Sequence, residues 1–254
     1  MNRKTIFLIA LIIAAVFSSC SKLKESNQTA KYTNEDYFKI SFIEDGGETA
    51  KIISYLGSRQ TVSIPSKKLG KTIIGIDNGA FFDCTKITGI TIPGTVTSIG
   101  DSVFDACIDL VLIDVDNDNK VYSSENGVLY NKDKTILIKY PSGKSGAFDI
   151  PKSVINIKEN AFGYRNKLES VKIPNSITII NEKIFDNCAN LKEIIVDYNN
   201  DVYSSENGVL YNKNKTILYK FPANKLIMGG YFVIPDSVTN IFKKSFYECN
   251  LLHT

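Results

Sequence analysis

The chain has 254 residues, 43% of them hydrophobic and 11% aromatic, with 30 basic and 27 acidic side chains. That composition is ordinary for a folded protein and excludes disorder as the default; the near-balanced charge, with no basic stripe, excludes a nucleic-acid binder. The one histidine, His253, cannot by itself build a Ser-His-Asp or Cys-His nucleophile, so no catalytic residue and no cofactor is assigned.

Residues 1–19 have the layout of a secretory signal peptide: Arg3 and Lys4, an apolar run from Ile6 to Phe17, then Ser18 and Ser19. About a dozen apolar residues fall short of the roughly 20 that span a bilayer. Cys20, after two small residues, resembles the acylated cysteine of a bacterial lipobox, although Phe17 stands where leucine is usual. Acyl chains there would anchor the protein at about 0.8 kcal/mol per buried CH₂. Residues 20–36 are polar and read as the tether. Residues 37–62 then read as an N-terminal β cap, with Phe38, Ile40 and Phe42 alternating, Asp45-Gly46-Gly47 as a turn and Ala50 to Tyr55 returning.

From residue 63 to 254 a 23-residue period rules the sequence. Ile76, Phe81, Cys84, Ile87, Ile90 and Ile92 recur as Ile99, Phe104, Cys107, Leu110, Ile113 and Val115. The template returns from Ile150, Ile173 and Ile234, and self-similarity at such a period marks a solenoid whose units bury their apolar faces only against each other. Within a unit, Leu168-Glu169-Ser170-Val171-Lys172-Ile173 reads as a strand that the following proline ends. A short extended piece comes next, then a turn around a buried phenylalanine (Phe81, Phe162) with one-turn helical segments. The fold class is therefore a β-rich repeat solenoid of short strands.

Above this lies a longer period. Val121–Pro141 matches Val202–Pro222 at an offset of 81, differing only at Asp133/Asn214, Ile138/Tyr219 and Tyr140/Phe221. These inserts, near 121–141 and 202–222, read as β-hairpins: residues 127–130 pair with 135–138 around Asn131 to Lys134. Projecting as lateral arms, they would carry Tyr130 and Tyr211 among their edging tyrosines, rings able either to stack on sugars or to pack the hairpin on the solenoid.

Other chemistry is weak. Cys84, Cys107, Cys188 and Cys249 share one repeat position, which points each into the core as a small apolar residue; a Cys84–Cys107 disulfide is the exported-protein alternative. Asp114, Asp116 and Asp118 imitate a calcium loop, but Asn119 replaces its glycine and the duplicate has Ile195 for Asp114, so no metal site is assigned. Gly143-Lys144-Ser145 and Gly70-Lys71-Thr72 lack the first glycine of a phosphate loop.

The strings Ile150 to Phe162, Ile92 to Phe104, Ile173 to Phe185 and Ile234 to Phe246, each variants of Ile-Pro-x-Ser-Val-x-x-Ile-x-x-x-Ala-Phe, resemble the BspA-like leucine-rich repeat proteins. So do the inserts and the segment from Lys51 to Gly57. The resemblance implies a leucine-rich-repeat solenoid that is secreted or displayed at the cell surface; joined to the signal-like residues 1–19 and Cys20, the expectation is a non-catalytic, exported protein, lipid-anchored at the outer membrane and facing the cell surface. It implies adhesion or recognition of host or bacterial surface proteins, for which the strand pattern offers outward positions such as Thr91, Asp114 and Lys172. A glycan-binding envelope protein using Tyr130 and Tyr211 is the alternative. Arg165 departs from the pattern where cysteine is usual, and the sequence stops within a repeat, which raises a third expectation: a truncated remnant that dimerises through the apolar edge around Phe246 and Leu252.

Overall fold

The computed structural model describes residues 34–43, 47–181 and 183–252. The expected signal peptide, the Cys20 lipidation site and most of the tether lie outside the described residues, as do Asp45, Gly46 and His253. The chain forms two compact units, Met1–Tyr122 and Ser123–Thr254. No helix among the described residues is long and apolar enough to cross a membrane.

In the first unit, β1 (Phe38–Phe42) and β2 (Thr49–Tyr55) pair antiparallel. Their alternating apolar residues bury Phe38, Ala50, Ile52 and Tyr55. The repeats start with β3 (Thr61–Ser63), followed by β4 (Lys67–Lys68) and β5 (Lys71–Ile76), which close on each other through Leu69 and Gly70, both at positive φ. The extra residues of the first repeat thus make a tight hairpin. Next come β6 (Gly89–Ile92), β7 (Ser98–Ile99) and β8 (Leu112–Val115). One sheet runs β1-β2-β5-β4 with β7 on β5, and the other runs β3-β6-β8 in parallel. Each coil lays one strand in each sheet, so successive coils pair along their length and every inward residue meets its own repeat equivalent.

The second unit repeats the plan with β9 (Tyr122–Glu125), β10 (Val128–Asn131), β11 (Ile136–Lys139), β12 (Gly146–Asp149), β13 (Asn156–Ile157), β14 (Leu168–Ile173) and β15 (Glu193–Val196). A second copy of the insert follows as β16 (Tyr203–Glu206), β17 (Val209–Asn212) and β18 (Ile217–Lys220), with β19 (Asn240–Ile241) last. The sheets run β13-β11-β10-β9, β12-β14-β15 and β16-β17-β18-β19.

Two expectations need correction here. The inserts do not project as two-stranded arms. Each is a three-stranded meander whose last strand pairs in parallel with the next coil, β11 with β13 and β18 with β19, so the insert completes a coil. Its first turn is Asn126-Gly127, repeated as Asn207-Gly208, all at positive φ, the dipeptide best suited to a two-residue hairpin.

The one-turn helices around the buried phenylalanines are also absent: the chain there makes single i→i+3 turns, as in Ala80 N–H to the Asp77 carbonyl and Cys84 N–H to the Phe81 carbonyl. The reason is local. Asp83, Ala106, Tyr164, Asn187 and Glu248, each just before the cysteine position, sit at φ between 56° and 65°, and a left-handed residue cannot propagate a right-handed helix.

Aromatic ladders fill the coils. Phe81 packs on Phe104 at 5.8 Å, Phe162 on Phe185 at 5.7 Å and Phe221 on Phe246 at 5.4 Å between centroids. Tyr140 extends the middle ladder at 5.5 Å from Phe162. Each such pair adds about 0.5–1.5 kcal/mol to the burial of the rings themselves.

Candidate functional site

The outward faces of the parallel sheets β3-β6-β8 and β12-β14-β15 are the surfaces that the repeats generate. Alternation along a strand turns Val62, Ile90 and Ile113 inward in the first unit and Val171 and Ile194 inward in the second, all buried. The residues on either side of them face out. In the first unit the parallel register aligns Thr61, Gly89 and Leu112 in one row and Ser63, Thr91 and Asp114 in the next. The Leu112 and Thr61 side chains flank the Gly89 backbone, at 3.7–3.8 Å from where a Cβ would stand, an ordinary van der Waals distance.

In the second unit the rows are Ala147, Ser170, Glu193 and Asp149, Lys172, Ile195. Ser170 Oγ donates to the Glu193 carboxylate at 3.2 Å, and Lys192 pairs with Glu169 at 2.9 Å.

Of the residues singled out in the sequence, Thr91 and Asp114 are brought side by side on one face, while Lys172 lies on the face of the other unit, between Asp149 and Ile195. Tyr130 and Tyr211 are not surface residues: they are 1% and 2% exposed. Pairing of β11 and β18 with the next coil folds each ring into the core, which removes the faces a sugar would stack on. Burial raises both hydroxyl pKa values, and the charge of Glu125 or Glu206 adds to the effect. The outward positions missed by the sequence reading include Thr61, Ser63, Leu112, Ala147, Asp149, Ser170 and Glu193. The repeat itself held the signal, because Leu-x-x-Val-x-Ile leaves two outward positions per strand rather than one.

The calcium-like stretch has another use. Asn119 is fully buried; its amide donates to the carbonyls of Pro93 and Val96 at 3.0 and 2.9 Å and accepts from the N–H groups of Val121 and Tyr122 at 2.9 and 2.8 Å. Asn200 repeats all four bonds on Pro174, Ile177, Val202 and Tyr203. Two donors and two lone pairs exhaust what an asparagine amide offers, and glycine there would supply none. The following tyrosines continue the clasp, since the Tyr122 hydroxyl accepts from Ile99 N–H and the Tyr203 hydroxyl from Ile180 N–H.

The cysteine position is likewise structural. Cys84, Cys107, Cys188 and Cys249 are thiols outside any disulfide. Cys107 and Cys188 donate to the Phe81 and Phe162 carbonyls at 3.0 Å. Arg165 does the same with its Nε on the Tyr140 carbonyl and adds Nη1 to Ser142 Oγ at 2.7 Å, so the departure from cysteine keeps the donor. Burial pushes the Cys188 thiol up to about 11, which suppresses the nucleophilic thiolate. Among the described residues, no three His, Cys, Asp or Glu side chains are grouped to hold a metal ion.

Among solved structures, the chain is similar to a leucine-rich repeat protein from Eubacterium ventriosum (25% identity, TM-score 0.47, covering 85% of this chain and 56% of that one). It is also similar to the pneumococcal vaccine antigen PcpA (22%, TM-score 0.52, 76% and 49%) and to a leucine rich cell surface protein from Faecalibacterium prausnitzii (18%, TM-score 0.44, 90% and 88%). The chain spans about half the length of the first two, and the likeness to the pneumococcal antigen speaks to the fold alone. No curated protein matches the chain. The BspA type leucine-rich repeat region matches in six copies, across residues 51–145 and 140–254. With that much of its length matched by coils in the register described above, the chain belongs to the BspA-type leucine-rich repeat family.

Proposed function

We propose that this is a non-catalytic, lipid-anchored protein of the cell envelope that recognises other proteins through the outward faces of its two parallel sheets, in the setting of adhesion at the cell surface. One observation carries the reading. On each face a hydrogen-bonded backbone, locked from below by a buried apolar row, presents polar and apolar side chains together, exposed except for the half-buried Thr91 and Ser170: Ser63, Thr91, Asp114 and Leu112 on one, Asp149, Lys172, Ser170 and Ile195 on the other. A surface held this rigidly loses little further entropy on binding, and solenoids use such extended faces for partners. The signal-like residues 1–19 and Cys20 support export and anchoring, and membership of the BspA-type family supports recognition over chemistry.

The test is protease treatment of intact cells of the source organism, with a periplasmic protein as the protected control, followed by capture of surface proteins on the full chain. Loss of the repeats from intact cells, together with capture of a host or bacterial surface protein, is the expected result. Protection of the repeats would overturn the placement at the surface, and an empty capture would overturn recognition.

A further inference from the structure

The turn after each repeat phenylalanine holds one residue in the left-handed region: Ala106 at φ 60°, Tyr164 at 62°, Asn187 at 56° and Glu248 at 65°. Small and polar residues tolerate that backbone, but a bulky aromatic residue there is an outlier. Burial does not compensate Tyr164 for the strain, since it is 63% exposed. A bulky residue that is both strained and exposed points to a use outside folding.

Its surroundings suggest one. Tyr164 N–H donates to the Asp186 carbonyl of the next coil at 3.0 Å. The Asp186 carboxylate is recessed, with its side chain 13% exposed, and pairs at 2.7 Å with Lys244, which meets it from 58 residues further along the chain. Lys244 Nζ lies over the Tyr247 ring, 5.5 Å from its centroid, and Tyr247 is 46% exposed. Asp186 raises the Lys244 pKa through its hydrogen bond and its charge, and Tyr247 and Tyr164 add to the rise, so both tyrosines are within electrostatic reach of one ammonium. The repeat template does not demand these residues: the copy that starts at Ile150 carries Asn160 and Gly163 where the copy that starts at Ile234 carries Lys244 and Tyr247.

The chemistry of the group is selective. Outside the core, the residues that flank these four along the chain, Asn187, Lys243 and Glu248, are polar, so the two rings supply the apolar surface. A docked peptide would want aliphatic pockets, whereas a pyranose has C–H bonds on its faces and hydroxyls around its rim, which suits aromatic faces set beside a few fixed polar groups. One hydrogen bond between an ammonium and a carboxylate uses one of three donors and one of about four lone pairs, so the pair has further capacity both to donate to hydroxyls and to accept from them. Because its two charges cancel, it favours a neutral ligand.

We propose that Tyr164, Asp186, Lys244 and Tyr247 form a binding site for the pyranose ring of a neutral glycan, with the tyrosine rings against its C–H faces and the ion pair on its hydroxyls. The site is built from turns and uses none of the outward sheet residues, so it stands apart from the protein-recognition reading.

The test presents the labelled full chain to an array of immobilised neutral oligosaccharides of glucose, galactose, mannose or N-acetylglucosamine, with sialylated and uronic-acid glycans as counterparts. Binding to a neutral glycan is expected. Tyr164→Asn, which installs the residue found in the equivalent turn at Asn187, should keep or raise the thermal midpoint while weakening binding about tenfold. Tyr247→Ala should weaken it by about the same factor, and Lys244→Asn, the residue of the Ile150 copy, by about fivefold. Tyr198→Ala removes an 85% exposed tyrosine elsewhere in the same unit and should leave binding within about twofold.

Binding confined to the acidic glycans, equal loss in Tyr198→Ala, or neutral-glycan binding that survives both Tyr164→Asn and Tyr247→Ala would each overturn the inference. An array with no glycan bound would overturn it too, while capture of a surface protein from cells would leave the recognition reading standing.

Discussion

The coils of the two units reach the same interior with different surfaces. In the second unit oppositely charged side chains bridge successive coils: Lys183 pairs with Glu159 at 3.0 Å and Lys192 with Glu169 at 2.9 Å, at sequence separations of 24 and 23. In the first unit the corresponding stretch is rich in aspartate, and Asp83 N–H donates to the carbonyl of Asp105 in the adjacent coil, so two carboxylate-bearing residues are backbone neighbours. The difference teaches that stacking is indifferent to surface charge. Apolar rows, aromatic ladders and one buried asparagine per duplicated segment hold the coils, and exposed ion pairs contribute only about 0.2–1 kcal/mol each.

The strongest attack on that view is on the asparagines. Asn119→Ala and Asn200→Ala each strand two buried carbonyls, at about 1–3 kcal/mol per group. Each is expected to cost about 3 kcal/mol, by the same amount in either unit, as read by hydrogen exchange of the adjoining strands. A loss below about 1 kcal/mol in one of them would mean that its coil is held by something else.

Alkaline pH tests the cysteine position next. The Cys188 thiol is raised from 9.0 to about 11 by burial, so the folded state keeps a proton that the unfolded chain gives up. The stabilisation is whole below pH 9 and is lost as pH rises through about 11, amounting to about 2 kcal/mol by then. Cys249, also raised to about 11 by burial, shifts the second unit in the same direction. Denaturation midpoints followed from pH 8 to 11 should fall, and a Cys188→Ala variant should fall less steeply.

A smaller effect compares two equivalent turns. Ala106, at φ 60°, pays for a left-handed backbone that Asn187, at φ 56°, tolerates through its short polar side chain. Ala106→Gly should therefore stabilise by about 1 kcal/mol, and Asn187→Gly by much less. The smallest effect tests surface charge directly: raising salt from 0.1 to 1 M should strengthen the aspartate-rich coils and weaken the ion-paired ones, each by about 0.5 kcal/mol. Shifts of the same sign in both would break the comparison.

By itself the sequence determined the coil. A 23-residue period with valine and isoleucine two apart decides which side of each strand is buried, because no repeat can cover its apolar face except with the next. It determined the inward cysteine position too, since a residue recurring at one place from unit to unit faces the stack. Only the tertiary structure decided what the inserts do. Asn126-Gly127 was a legible turn, but the burial of Tyr130 and Tyr211 depends on β11 and β18 pairing in parallel with a coil further along the chain. That register comes from long-range packing and is written in no local pattern. The same holds for Asn119 and Asn200, polar residues in an acidic loop whose four hydrogen bonds exist only once the preceding coil is beneath them, and for Arg165, whose place in the core depends on the Tyr140 carbonyl 25 residues away.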